Sequence, residues 1–423
     1  MAGHEQAPDT AARRAKPGSS FGPNGVPSSA DIGARLRAIV DEPGLVLDEV
    51  VVDGFCNEIR HAAEILADFE LTAKGHDRTA SYHYLLAMVM YSIDAAVLGD
   101  EPLQPMWSAP YQINRADWGA ASPDAVYRRA WIREDLAYRV HGKLGNADCL
   151  LLEFRRAKPS AVFNREDLAA EPDGTFELYL GGPERTANWR RMPSGAVGLS
   201  IREYFGDWLR ARRSRLRIDC LGSGFAPRAD ANARRVATAF DLSAKWVRRA
   251  AIEFWARQSR HAATAHPNAF VPELARTGSE LPTVTHGWWD LDEDEALVIE
   301  FENPQAQFWA IQLASSLWST LEYANSQTSL NMTQTLPDRD GKYRLVLSHR
   351  DPGVHNWLDT TGLHCGIVML RAYRAEKPQI PMTTVVKVDD APQLLVNARR
   401  TAPEERRDQI AQRREGVARL IAD

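Results

Sequence analysis

The sequence predicts a mainly β protein with accessory helices, in which two tandem antiparallel β-sandwich domains are joined by a helical bridge. Two observations carry that reading. Short alternating apolar runs separated by Gly, Pro and Asn fill two long stretches, the pattern of sandwich strands. Moreover, the stretches echo each other. DGTFELYLGGPERTANWRRMPSGAVGLSIREYF (Asp173 to Phe205) and DGKYRLVLSHRDPGVHNWLDTTGLHCGIVMLRAYR (Asp340 to Arg374) share one grammar. Each opens on Asp-Gly, runs through an alternating strand, crosses a loop to Asn-Trp, passes Gly and ends its second strand in Arg-x-Tyr. Asp-Gly before a strand is ordinary turn chemistry. Matching Asn-Trp pairs at nearly equal distances are harder to reach by chance, so the grammar predicts duplication.

In chain order, residues 1–28 hold Gly, Pro, Ser and scattered charge with no apolar core, which predicts a disordered tail and not a signal peptide. Residues 29–104 read as a helical N-terminal region. Ile59, Ala62, Ile65, Leu66 and Phe69 recur at three and four, and YLLAMVMYSIDAAVL is apolar nearly all round, so the second helix is expected to be buried. Residues 105–225 hold the first set of strands: AVYRRAWI, AYRVHGKL, DCLLLEFR, TFELYL, AVGLSIREYF and RLRIDCL. Residues 231–266 form the bridge, with helical spacing through Val236, Phe240, Trp246, Val247, Ala250, Phe254 and Trp255, and Pro267, Pro272 and Pro282 then break the pattern. Residues 283–390 hold the second set: ALVIEF, FWAIQL, SLNMTQTL, YRLVLS and GIVMLRAY. Residues 402–423 read as a charged helix of weak apolar content, an exposed or packing tail.

Composition narrows the function classes. At 423 residues, 44% hydrophobic and 25% charged, the chain has the make-up of a water-soluble globular protein with room for several cores. A net charge of −5 gives no general attraction to phosphate backbones, so no nucleic-acid partner is expected. No apolar run reaches membrane-spanning length. Four scattered cysteines without paired spacing predict reduced thiols and a cytoplasmic setting. No Walker loop or dinucleotide fingerprint occurs, so no cofactor is expected.

Together, GWWDLDEDEALVIEFENPQAQFWAIQL, LEYANSQTSLNMTQ and SHRDPGVHNWLDTTG resemble the bacterial domain-of-unknown-function 1214 family, closely from Thr285 to Asp389. Upstream, RTASYHYL, SPDAVYRRAWI, ANWRRMPSGA and SIREYFGDW resemble its longer members more weakly, over about 79–210. The resemblance implies a jelly-roll-like C-terminal sandwich, often preceded by a second β-rich domain, and implies no reaction. Where relatives carry Asn-Pro-Asp-Asn-x-Tyr, this chain has Ser122-Pro123-Asp124-Ala125-Val126-Tyr127, which lacks both amides.

The segment Ser348 to Gly362 concentrates ionisable groups between two apolar runs. One reading is structural: Pro352 and Gly353 make a turn, and Asn356 and Asp359 satisfy loop backbone. The other is an acid–base site, with His349 as general acid or base and Asp351 or Asp359 orienting it. Trp318, Tyr323, Asn331, Arg350 and Asn356 would then line a facing cleft for substrate. A metal would have to draw on His286, His349, His355, His364, Asp351 and Asp359, but no His-x-His occurs, so no metal is expected. Two function classes follow: an enzyme acting on a hydroxylated, largely apolar small molecule without a nucleotide cofactor, of lyase or hydrolase type, or a non-catalytic small-molecule or carbohydrate-binding protein. Self-association into homo-oligomers is left open.

Overall fold

The protein is a stack of four β-sheets with helices at its ends. The computed structural model describes residues 49–69, 78–97, 102–110, 119–155, 157, 162–185, 188–222, 233–271, 275–276 and 283–421. The expected tail at 1–28, the helical reading at 29–48, and Pro272 and Pro282 lie outside the described residues.

Eight strands build the first half: β1 (Ala125–Trp131), β2 (Ala137–Lys143), β3 (Cys149–Arg155), β4 (Val162–Asn164), β5 (Thr175–Leu180), β6 (Trp189–Arg190), β7 (Gly198–Tyr204) and β8 (Arg215–Leu221). They form two sheets, ordered β1-β7-β3-β4 and β6-β5-β2-β8. In TFELYL the alternate residues Phe176, Leu178 and Leu180 are buried while Thr175 and Glu177 stay exposed, the period-2 signature of a strand with one face on a core. That core, with Tyr138, Val140, Leu152, Phe154 and Ile201, lies between the two sheets.

The second half repeats the plan. Its strands are β9 (Ala269–Phe270), β10 (Ala275–Arg276), β11 (Thr283–Asp290), β12 (Glu295–Phe301), β13 (Phe308–Ala314), β14 (Ser329–Asn331), β15 (Tyr343–Ser348), β16 (Trp357–Asp359), β17 (Cys365–Tyr373) and β18 (Met382–Lys387). One sheet runs β10-β11-β17-β13-β14, with β9 on β11, and the other β16-β15-β12-β18. Setting β11 to β18 against β1 to β8 reproduces both strand orders of the first half. The agreement extends to single residues. In both halves the Asp-Gly glycine has positive φ, +87° at Gly174 and +81° at Gly341, at the entrance to β5 and β15. Asn-Trp then starts a short strand in parallel register, Trp189 beside Tyr179 and Trp357 beside Val346, each five residues past its Asp-Gly glycine. These two pairings are parallel, so the sheets are not wholly antiparallel as expected. The Asp-Gly turns also close no hairpin, because β5 pairs with β2 and β15 with β12.

The strand set also differs from its sequence reading in extent. SLNMTQTL yields only the three residues of β14, since a turn held by Asn331 O stops it. β18 was not anticipated. It is an edge strand whose MTTVVK is mostly exposed, and so shows no core-facing pattern.

Four helices cap the second sandwich: α1 (Glu49–Ala67), α2 (Arg78–Val97), α3 (Ala233–Lys245) and α4 (Phe254–Ala265). An eight-residue π-helical stretch, Trp246–Glu253, makes α3 and α4 continuous. Their buried faces pack on Trp288, Ile367, Met369 and Trp318. α2 is not buried all round as expected: Leu86 and Met90 are 65% and 70% exposed on its outer side. On the opposite side, α5 (Ala391–Leu394) covers β12 and β15, and α6 (Pro403–Ile421) lies across the loops of both halves. Among the described residues no helix is long and apolar enough to cross a membrane, and all four cysteines are free.

The inner sheets of the two sandwiches meet each other. Ala125, Cys149, Leu151 and Tyr204 from one pack against Phe308, Ala310 and Tyr373 from the other. This contact explains why FWAIQLA in β13 is buried at every position and shows no alternation.

Candidate functional site

The structure distributes the sequence-predicted residues over three places. His349, Asp351 and Asp359 share one loop, where each is held by the protein itself. His349 Nδ1 lies 2.8 Å from Thr360 Oγ1 and Nε2 3.2 Å from the Leu291 carbonyl. A carbonyl only accepts, so Nε2 donates to it, while the Thr360 hydroxyl at Nδ1 can accept or donate. Asp351 accepts from the Gly353 amide at 2.8 Å and from Arg406 Nε at 2.9 Å, a turn and an ion pair to α6. Asp359 accepts from the Thr361 amide at 2.8 Å, and burial raises its pKa. Arg350 pairs with Asp389 at the exposed surface. Asn356 bonds Leu336 N, Leu336 O and Arg344 O, all of them backbone.

The cleft expected between this loop and residues 318–331 is closed. Gln327 Nε2 donates to the Trp357 carbonyl at 2.7 Å, and the Asp359 amide donates to Gln327 O at 2.9 Å. Trp318 belongs elsewhere, stacked on Trp255 at 4.5 Å with Nε1 donating to Ser259. Tyr323 sits under α6, its carbonyl taken by Arg413 and its ring edge-on to Trp208.

Asn331 leads to the boundary between the sandwiches. Its Nδ2 donates to Asp124 Oδ1 at 2.6 Å and to Gly206 O at 3.0 Å, and Trp208 Nε1 donates to the same carboxylate oxygen at 3.0 Å. Asp124 is only 1% exposed, and burial pushes its pKa up to about 6 against the opposing pull of Asn331, Arg413, Trp208 and Ser122. Between about pH 4 and 6 the folded protein therefore keeps a proton that the unfolded carboxyl has released. The stabilising contribution of this group is complete below pH 4 and is lost as pH rises to 6. The unfolding free energy of the parent relative to Asp124→Asn should fall by up to about 3 kcal/mol across that window and level off above it. Denaturant titrations at pH 4, 5, 6 and 7 check this, and a flat difference contradicts it.

Beside this cluster the duplicated Arg-x-Tyr motifs face each other. Arg202 and Tyr204 end β7, Arg371 and Tyr373 end β17, and the Tyr204 and Tyr373 rings lie 5.3 Å apart. Phe308 stands 5.4 Å from Tyr204 and Tyr127 6.3 Å from it, so the seam has aromatic walls. Arg202 lies over Tyr127 and pairs with Glu153 at 2.6 Å. Burial alone would lower its pKa, but Tyr204, Glu153, Tyr127 and Tyr373 outweigh that and keep it charged. Arg371 donates to Gln312 and to the Ala120 carbonyl, which pins the segment before β1 between the sheets. Burial raises both Tyr204 and Tyr373, so both phenols are neutral hydrogen-bonding groups at ordinary pH. The Tyr373 hydroxyl has no partner among the described residues, nor has Ser200 Oγ four residues back along β7 from Tyr204, on residues 2% and 6% exposed. An unpaired buried hydroxyl costs about 1–3 kcal/mol, so each calls for an explanation.

Tyr127, Ser200, Arg202, Tyr204, Gln312, Arg371 and Tyr373 were not among the sequence-predicted site residues. The repeated Arg-x-Tyr was the available signal. Among the described residues no three His, Cys, Asp or Glu side chains gather as a metal-holding group.

Residues 287–377 match the model of the family described as "Protein of unknown function (DUF1214)", in agreement with the motifs found there. No curated protein sequence matches the chain. Among solved structures it is similar to an uncharacterised protein from Burkholderia cenocepacia, at 23% identity and a TM-score of 0.74, over 85% of this chain and 99% of that one. It is also similar to a Vibrio parahaemolyticus protein, at 13% identity and a TM-score of 0.45, over 78% of this chain and all of that one. The first likeness shows a shared fold.

Proposed function

We propose that the protein binds a hydroxylated, largely apolar small molecule carrying an acid group in the seam between its two sandwiches. The observation that carries this reading is the buried, unpartnered Tyr373 hydroxyl, two residues along β17 from Arg371; Ser200 Oγ, two residues along β7 from Arg202, is unpartnered as well. The aromatic walls suit the apolar body of such a ligand, the charge of Arg371, whose partners Gln312 and the Ala120 carbonyl are uncharged, its carboxylate, and the free hydroxyls its hydroxyl. Binding is favoured over acid–base catalysis because His349 and Asp351 are engaged by the protein itself, and Asp124 is closed off by Asn331 and Trp208.

Calorimetric titration with 4-hydroxybenzoate and a panel of aliphatic hydroxy acids tests the reading. At least one should bind, and Tyr373→Phe should weaken it roughly tenfold, about what one hydrogen bond to a charged or well-aligned partner contributes. The same variant should melt no lower than the parent, because it removes an unpaired polar atom. A lower melting temperature, or unchanged affinity for every ligand that binds, contradicts the proposal.

A further inference from the structure

A second site, at the end of the first sandwich, carries chemistry that the seam reading does not use. A cavity of about 1370 Å³ opens where the loops after β2 and before β5 and β8 converge. Eight Lys and Arg side chains line it, against one carboxylate, Asp173. The chain as a whole has an acidic excess of 56 Asp and Glu over 51 Lys and Arg, so this is a concentration of charge against the overall balance.

Existing partners do not use this charge up. Asp173 is spent on its own turn, accepting from the Thr175 amide and hydroxyl, and stands 3.6 Å from Lys143. Arg128 reaches Glu203, which lies fully buried beneath it and is also held by Ser214. The side chains of Arg212, Arg215 and Arg217 make no hydrogen bond or ion pair among the described residues. Two N–H donors of lining residues are buried without an acceptor: Trp107 Nε1 and Arg128 Nε. Every unsatisfied group here is a donor or a cation, so what is missing is an acceptor of high negative charge. Several guanidinium groups within one cavity exceed what a single monoanion balances. The cavity's size and the acidic remainder of the surface argue against a long polymer.

We infer that this cavity binds a small molecule carrying two or more linked phosphate groups. The probe is inorganic tripolyphosphate, titrated by calorimetry into the full chain at fixed ionic strength. It should bind at least tenfold more tightly than orthophosphate. Arg212→Gln/Arg215→Gln should weaken it at least tenfold with an unchanged melting curve, since both residues are exposed and unpaired. Trp107→Phe keeps the ring but removes the N–H, and should weaken binding severalfold, which mere charge attraction would not require. Tyr373→Phe should leave tripolyphosphate affinity unchanged, so failure here is separable from failure at the seam. The inference is overturned by no binding, by equal affinity for orthophosphate, by affinity unaffected in the Arg or Trp107 variants, or by tighter binding of a 20-base duplex oligonucleotide.

Discussion

Trp318→Ala is expected to destabilise the protein by about 3–5 kcal/mol, the range for removing a fully packed large aromatic side chain. The ring is 3% exposed, stacks on Trp255, meets the edge of His286 at 5.0 Å and donates to Ser259 on α4. Its loss would open a cavity between the helical cap and the second sandwich and leave the Ser259 hydroxyl without that donor. Urea unfolding of the parent and the variant measures the effect. A variant of parental stability that had merely lost a ligand would restore Trp318 to the lining of a binding cleft.

Arg413→Met is expected to cost about 3–5 kcal/mol, the range for breaking a buried charged network by removing one member. Arg413 donates to the Tyr323 carbonyl at 3.1 Å, the Ser329 carbonyl at 2.9 Å and Ser329 Oγ at 2.9 Å, while its guanidinium lies 4.9 Å above the Trp208 ring. Methionine can fill the volume but can donate to none of the three acceptors. Burial lowers the Arg413 pKa to about 10, so at neutral pH the charge is kept. α6 should then come free of the body, and limited proteolysis should cut it at a concentration that leaves the parent whole. An intact α6 in the variant would show that Arg406, Leu420 and Val417 suffice to hold it.

These two results bear on what the sequence could reveal. The strands were legible because their chemistry is local: alternation in TFELYL and AYRVHGKL reports a buried face, and the Asp-Gly and Asn-Trp repeats report the duplication. The candidate site was not legible, because it depends on partners far away in the chain. His349, Asp351 and Asp359 allow both a turn reading and an acid–base reading in the sequence; Thr360 and the Leu291 carbonyl hold the first, Arg406 the second and the Thr361 amide the third. α6 reads as an exposed or packing tail because it lacks an apolar stripe. It packs, through Arg406 and Arg413, 7% and 5% exposed, each laid over a tryptophan. Tyr373 ends the repeated Arg-x-Tyr, and the missing partner of its hydroxyl sets it apart.

The strand order shared by the two sandwiches also bears on how the chain reaches its native state. Most strand pairings join strands that are not sequence neighbours. β1 joins β7 through contacts such as Arg128 with Glu203, 75 residues apart, and β2 joins β8 through Arg139 with Asp219, 80 apart. Loop-closure entropy must be overcome before such contacts give anything back, so each sandwich should fold slowly, on the millisecond-to-second scale of non-local β topologies. During synthesis β2 has no partner for its outer edge until β8 has left the ribosome. For that interval the chain exposes an unpaired, half-apolar strand, and its yield in the cell is set by how well that edge is kept from other chains.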